Sequence, residues 1–306
     1  MRVGIIGNGT QSQRIQKILK NKKVNFFLYK PSNRNYYDQK DFEELKKNKI
    51  IFILSPNKTH YKYIKKLYRN RFIFCEKPPV NNIVELRKLR KINYKRIYFN
   101  YNMRFSKISN ILSLRHKYNL GKLIYANVAN VHGLALKKKE YLNSWRSNKK
   151  KCPKGIFEIV SIHLIDLINY HFEITELDSP TLINHSKIGN SFDTSYISFR
   201  LKNEGIVNVF TSYNGPLFRK IDFIFENGTV EQNQDVLIIK GPAINLDKKK
   251  FFKEPKIIKR IYLNDKKDYE DSLIKSCNFF LKTAISNSFF KKDIFNYSLQ
   301  SNRLIF

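Results

Sequence analysis

The chain has 306 residues, of which 42% are hydrophobic and 14% aromatic, enough for two domains with ordinary cores. A formal net charge of +33 raises the question of a polyanion partner, but the basic clusters are short and dispersed, at 46–47, 137–139, 149–151 and 248–250. With no zinc-finger spacing and no long basic helix, a specific nucleic-acid reader is set aside. The abundance of Lys, Asn, Ile, Phe and Tyr beside few Gly, Pro and Met is what AT-rich coding produces whatever the function.

Arg2-Val3-Gly4-Ile5-Ile6 reads as a short strand, followed by Gly7-Asn8-Gly9-Thr10-Gln11-Ser12. Ile15, Ile18 and Leu19 fall at i, i+3 and i+4, so a helix is predicted from near Thr10. A strand, a glycine turn and a helix form a dinucleotide-binding unit. Gly7 allows the tight turn, Gly9 lets backbone approach a pyrophosphate, and the helix N-terminus offers N–H groups and positive dipole. Ser12 stands where a third glycine is usual and is small enough for close helix–strand packing.

Val24 to Tyr29 is the second predicted strand. No carboxylate follows it to accept a ribose 2′-hydroxyl; the chain runs into Lys30-Pro31-Ser32-Asn33-Arg34, and the first acid is Asp38. Lys30, Ser32 and Arg34 suit a 2′-phosphate, so NADP(H) is favoured over NAD(H). A short helix around Phe42–Leu45 leads to a strand from Lys49 to Leu54, which ends in Ser55-Pro56-Asn57-Lys58-Thr59-His60. A helix with Tyr63, Ile64 and Leu67 on its inner face precedes the strand Phe72-Ile73-Phe74-Cys75, which stops at Glu76-Lys77-Pro78-Pro79. Alternating strands and helices predict a doubly wound parallel sheet. Right-handed crossovers place the glycine turn, Ser55-Pro56-Asn57 and Glu76-Lys77-Pro78 along one edge, where such sheets bind ligands.

From about Asn119 the pattern changes. Leu123–Val131, Ser195–Leu201, Gly205–Tyr213, Lys220–Phe225 and Asp235–Lys240 read as strands, with Asn227-Gly228 as a hairpin turn, so an antiparallel sheet is predicted. Ile156 to Tyr170 reads as a helix on which Ile159, Ile162, His163 and Asp166 share a face. A His and an Asp on an apolar stripe need a partner or a ligand. Asp271 to Ser286 reads as a closing helix with Leu273, Cys277, Phe280, Leu281 and Ala284 inward.

The glycine turn, Ser55-Pro56-Asn57-x-x-His60, Glu76-Lys77-Pro78, Asn100-Tyr101-Asn102-Met103-Arg104-Phe105, Trp145-Arg146 and His163-Leu164-Ile165-Asp166 follow in that order. The chain thereby resembles the Gfo/Idh/MocA family of NAD(P)-dependent oxidoreductases over more than half its length. The resemblance implies an N-terminal Rossmann domain, 1–118, and a C-terminal α+β domain, 119–306, with an open, mostly antiparallel sheet whose free face often builds a homo-oligomer. It implies cofactor contacts from Gly7, Asn8, Gly9, Thr10, Gln11, Ser55, Pro56, Asn57, His60, Glu76, Lys77, Trp145 and Arg146, beside the Lys30, Ser32 and Arg34 named above. It implies substrate contacts from Lys77, Asn102, Arg104 and His163. Lys77 would stabilise alkoxide charge and His163 would be the general acid/base, with Asp166 beside it. The family often holds the Lys-Pro bond cis.

One position departs from that pattern. Many members carry Asp four residues before the histidine, and here Ile159 stands there. Glu158 is adjacent, but α-helical geometry points it off the His163 face. Three outcomes stay open: a simpler catalytic dyad, an altered substrate, or a dinucleotide-binding sensor or scaffold without catalysis. The expected reaction is hydride transfer with a hydroxyl or carbonyl carbon of a sugar, cyclitol or nucleotide-linked sugar. Cys75, Cys152 and Cys277 form neither a CxxC pair nor a disulfide framework, and no long apolar run or signal-peptide pattern is seen. A cytoplasmic protein without metal or membrane partner is the expectation.

Overall fold

The computed structural model describes residues 2–31, 39–241 and 246–306. They divide into two compact units, one formed by 1–102 with 272–304 and 306, the other by 103–271 with 305. The first unit is therefore discontinuous, which a single cut at 118/119 does not capture.

Five strands form the first unit's sheet: β1 (Arg2–Ile6), β2 (Asn25–Tyr29), β3 (Ile50–Ile53), β4 (Phe72–Glu76) and β5 (Ile97–Asn100). All pair in parallel, in the order β2-β1-β3-β4-β5. The helices between them are α1 (Thr10–Asn21), α2 (Gln39–Lys46), α3 (His60–Leu67) and α4 (Ile83–Leu89). This is a doubly wound, Rossmann-like sheet. Its order reverses between β1 and β3, and ligands of such sheets bind outside the carboxyl ends at that switch point. The strands read as continuous apolar runs because both faces are covered: β3 is buried at every residue, and β4 at all but its last.

The second unit contributes α5 (Lys107–Ser113), β6 (Leu123–Val131), α6 (Lys138–Leu142), α7 (Ile162–His171), β7 (Ile174–Leu177), β8 (Thr181–Ile183) and β9 (Thr194–Leu201). It continues through β10 (Ile206–Ser212), β11 (Phe218–Phe225), β12 (Gly228–Asn233), β13 (Val236–Lys240) and β14 (Ile257–Tyr262). The nine-stranded sheet runs β14-β13-β12-β11-β6-β10-β9-β7, with β8 also on β9. Among the described residues of this sheet only β6 and β10 pair in parallel, and the other ladders are antiparallel. The Asn227-Gly228 hairpin joins β11 to β12 as the dipeptide predicts. The inner face meets the segment leading into α7, where Ser161 Oγ lies 2.9 Å from Ser195 Oγ and 2.7 Å from Thr211 Oγ1.

Two helices close the chain, α8 (Asp265–Ile285) and α9 (Lys292–Arg303). From Ser272 onward they belong with the parallel sheet. Phe280 packs edge-on against Phe52 and Phe74, each at 5.3 Å between ring centroids, and the Tyr98 hydroxyl meets Ser276 Oγ at 2.8 Å. The inward stripe predicted for the closing helix is buried as expected, Cys277 included. Among the described residues no helix is long and apolar enough to cross a membrane, and no group of three His, Cys, Asp or Glu side chains is placed to hold a metal ion.

Candidate functional site

The carboxyl edge of the parallel sheet gathers the first half of the expected residues. At Gly7 φ is +100°, and a Cβ would lie 2.7 Å from the Leu54 carbonyl oxygen and 2.9 Å from Ser55 Cα. The close approach of β1 to β3 thus requires glycine. Ser12 seals the turn by donating its hydroxyl to the Gly7 carbonyl at 2.7 Å. Gly9 is different. It caps α1 in extended conformation, at φ −76°, and among the described residues a Cβ there would meet nothing within 4 Å beyond its own chain neighbours. Neither its backbone angle nor its protein neighbours demand a glycine.

Helix α1 opens without a side-chain cap and without an acid in its first turn, so its dipole favours an anion there. Asn8, Gly9 and Thr10 are exposed and Gln11 half-buried at this end. Gln11 Nε2 donates to Glu76 Oε1 at 3.2 Å, and Asn100 Nδ2 donates to the same oxygen at 2.6 Å. Burial pushes the Glu76 carboxyl above its ordinary range, partly offset by these two amides and by Lys77. The Lys77–Pro78 bond is cis, as the family pattern anticipates, and Lys77 is half-buried.

His60, expected among the cofactor contacts, is fully buried. Its Nδ1 lies 2.8 Å from the Pro78 carbonyl and its Nε2 2.9 Å from the Ser55 carbonyl. Both nitrogens face backbone, so the ring ties the loop after β3 to the loop after β4 and touches a ligand only through them. Ser55 is likewise turned inward, its hydroxyl 2.6 Å from that of Thr59, while Pro56 is exposed and Asn57 half-buried. Asn102, expected to contact substrate, is buried and donates to Ser272 Oγ at 2.8 Å. Lys30 is exposed at the end of β2; Ser32 and Arg34 lie outside the described residues.

The second unit carries the remaining residues. Arg104 and Asp166 meet in a two-pronged ion pair, Nε to Oδ2 at 2.8 Å and Nη2 to Oδ1 at 2.6 Å, with both side chains at most 5% exposed. The Arg104 guanidinium also lies 5.0 Å from the centre of the Tyr170 ring. Such a pair is hard to break, because removing one partner strands a buried charge. Asp166 and Arg104 are therefore first of all partners of each other, a link that sequence spacing across 62 residues does not reveal. Trp145 is exposed and the Arg146 guanidinium stacks over it at 4.6 Å.

His163 sits half-buried on α7. The α-helical periodicity used to place its neighbours fails just upstream, because Phe157–Ser161 forms a π turn. In a π turn the backbone bonds five residues back, which inserts one residue into the helix. The wider turn therefore breaks the α-helical register between His163 and the residues upstream of it, Glu158 and Ile159 included. Glu158 is 1% exposed, and its Oε1 accepts from the Lys154 backbone N–H at 3.0 Å. Burial lowers the Lys154 ammonium, against the pull of Glu158, and burial and then Glu158 push the Cys152 thiol up. Glu158 is thus a buried carboxylate that α-helical reasoning discards. The only signal for it in sequence is a Glu within an otherwise apolar run.

No family model matches the chain, and no curated protein matches it in sequence. Solved structures do resemble it over its whole length. A levoglucosan dehydrogenase in complex with NADH has a TM-score of 0.80 at 13% identity, covering 100% of this chain and 95% of that one. A myo-inositol dehydrogenase from Corynebacterium glutamicum has 0.72 at 14%, covering 100% and 94%. The dehydrogenase MviM from Clostridium difficile has 0.72 at 17%, covering 100% and 97%. At these identities the likeness is one of fold.

Proposed function

We propose that the chain is a nicotinamide-dinucleotide oxidoreductase of the Gfo/Idh/MocA type, acting on a hydroxyl or carbonyl carbon of a sugar, cyclitol or nucleotide-linked sugar. One contrast carries the reading: packing demands Gly7, whereas nothing in the packing of the described residues demands Gly9, beside an uncapped helix start without acids. A pyrophosphate that needs close backbone approach accounts for a glycine the protein itself does not need. The solved structures of this fold that are named for NADH and for sugar-like or cyclitol substrates support the same class.

Gly7, Asn8, Gly9, Thr10 and Gln11 would hold the dinucleotide, with the loops after β3 and β4, from Pro56 and Asn57 to Glu76, beside it. The bound nicotinamide supplies the hydride acceptor or donor. Lys77 bears on the reacting oxygen, where its ammonium stabilises alkoxide charge as the hydroxyl proton leaves. His163 takes that proton in oxidation and returns it in reduction, with Glu158 as its carboxylate partner. NADP(H) is preferred over NAD(H) on the ground that Lys30 and Pro31, not an acid, follow β2.

The test measures NADPH and NADH binding by quenching of protein fluorescence, and turnover at the nicotinamide absorbance band with a panel of sugars, cyclitols and nucleotide sugars. Lys77→Ala is expected to bind the dinucleotide as wild type does while losing at least about 100-fold in turnover. Turnover retained in that variant removes Lys77 from the mechanism. Binding of neither cofactor removes the whole reading, and binding without turnover on any substrate favours the sensor or scaffold.

A further inference from the structure

The parallel sheet has a second end, away from the glycine turn. Outside the amino ends of β1, β3, β4 and β5 lies a cleft of about 870 Å³, within the range of small-molecule sites. Arg2, Lys47, Lys49 and Arg96 line it against one acid, Glu44. That acid is already doubly paired: one oxygen is 2.7 Å from Arg2 Nη1 and the other 2.7 Å from Lys47 Nζ. Among the described residues neither Lys49 nor Arg96 has an acidic partner.

Arg96 is the telling member. Its guanidinium lies 5.4 Å from the centre of the Phe72 ring and 5.7 Å from that of Phe289, so two aromatic faces hold it at the cleft. Its Nε is buried and makes no hydrogen bond to any described residue. That nitrogen is closed to solvent, so an anion in the cleft would be met by the terminal guanidinium nitrogens, which recognise phosphate two-pronged. The cations are also spread. Arg2 opens β1 and Arg96 immediately precedes β5, three strand spacings away at about 4.8 Å each, hence about 14 Å. Cations that enter from strands this far apart suit an anion with more than one charged group.

We propose that this cleft binds a polyphosphate-bearing small molecule, at a second anion site distinct from the dinucleotide end of the same sheet. Charge composition alone makes a competing forecast, namely weak, diffuse binding wherever lysines are dense.

Isothermal titration of the full chain with inorganic tripolyphosphate, at about 150 mM salt where diffuse attraction is screened, separates the two. Saturable binding of one anion is expected, weakened at least about tenfold by Lys49→Gln and by Arg96→Gln separately. The double variant Lys248→Gln/Lys249→Gln, which removes more charge elsewhere, is expected to bind as wild type. Because Lys49 is exposed, its variant tests the site without disturbing the core. Absence of saturable binding, equal loss in the distant double variant, or displacement of tripolyphosphate by NADH each overturns the proposal.

Discussion

His60 poses an electrostatic conflict within a few ångströms. A neutral imidazole has one N–H, yet both ring nitrogens face carbonyl oxygens at 2.8 and 2.9 Å. An imidazolium would satisfy both, and these contacts pull the ring that way. Burial opposes the charge and outweighs them, with Lys77 adding to the opposition, so the folded ring titrates below its ordinary value. The sign of the linkage follows. Below about pH 6.5 the unfolded chain takes up a proton that the folded ring still refuses, so stability is complete above that pH and declines beneath it. One proton limits the slope to about 1.4 kcal/mol per pH unit. Urea unfolding at pH 7.5 and 5.5 should therefore show a larger loss for wild type than for His60→Gln, which keeps a donor but cannot titrate. Parallel losses in the two proteins would show that His60 takes no proton on unfolding in that range.

At the scale of elements, the π turn decides what was legible. The parallel sheet could be read because its strands are short apolar runs ending in Gly, Ser-Pro or Lys-Pro, and local pattern alone fixes such elements. The hairpin at Asn227-Gly228 was legible for the same reason. The turn at Phe157–Ser161 was not, because apolar periodicity assumes 3.6 residues per turn and nothing in Phe-Glu-Ile-Val-Ser announces an inserted residue. The α-helical reading leaves Ile159 as a missing acid and sets Glu158 aside, whereas the wider turn changes the register of both toward His163, and Glu158 is buried. Glu158→Gln keeps the shape and an acceptor for the Lys154 N–H while deleting the charge. If Glu158 supports His163, this change should lower kcat about 10–100-fold and shift the acid limb of the pH–rate profile, with stability changed by less than about 1 kcal/mol. A fall in stability with unaltered kcat would assign Glu158 to the structure of the turn instead. The Arg104–Asp166 pair was hidden for a different reason: sequence spacing informs on neighbours within an element, and this pair joins two.

For the whole molecule, two features escaped local pattern. The return of 272–304 to the first unit depends on Phe280 and Tyr98 finding each other across some 180 residues of chain, a tertiary choice that helix periodicity does not encode. The other is the outer face of the nine-stranded sheet. Tyr196, Ile206, Phe210 and Ile224 are 37–46% exposed there. Register places Ile206 beside Tyr125 and Tyr125 beside Ile224, and sets Phe210 against Tyr196. Between these apolar rows the Tyr196 hydroxyl donates to Asn208 Oδ1, and Asn208 Nδ2 donates to the Tyr125 hydroxyl, each at 3.1 Å. A broad sheet face with aromatic and aliphatic rows, on which Tyr196, Asn208 and Tyr125 bond to one another, suits a second copy of the chain. Net charge works against that: two chains of +33 repel, and salt screens the repulsion while leaving apolar burial in place. Self-association through this face should therefore tighten as salt rises, the opposite of assembly held by ion pairs. Sedimentation is expected to show a multimer of the 36.5 kDa chain that strengthens with salt, and Phe210→Asp/Ile224→Asp is expected to give a monomer that still unfolds cooperatively. A wild-type chain that sediments as monomer at every salt concentration would leave the face with no copy of itself to cover it.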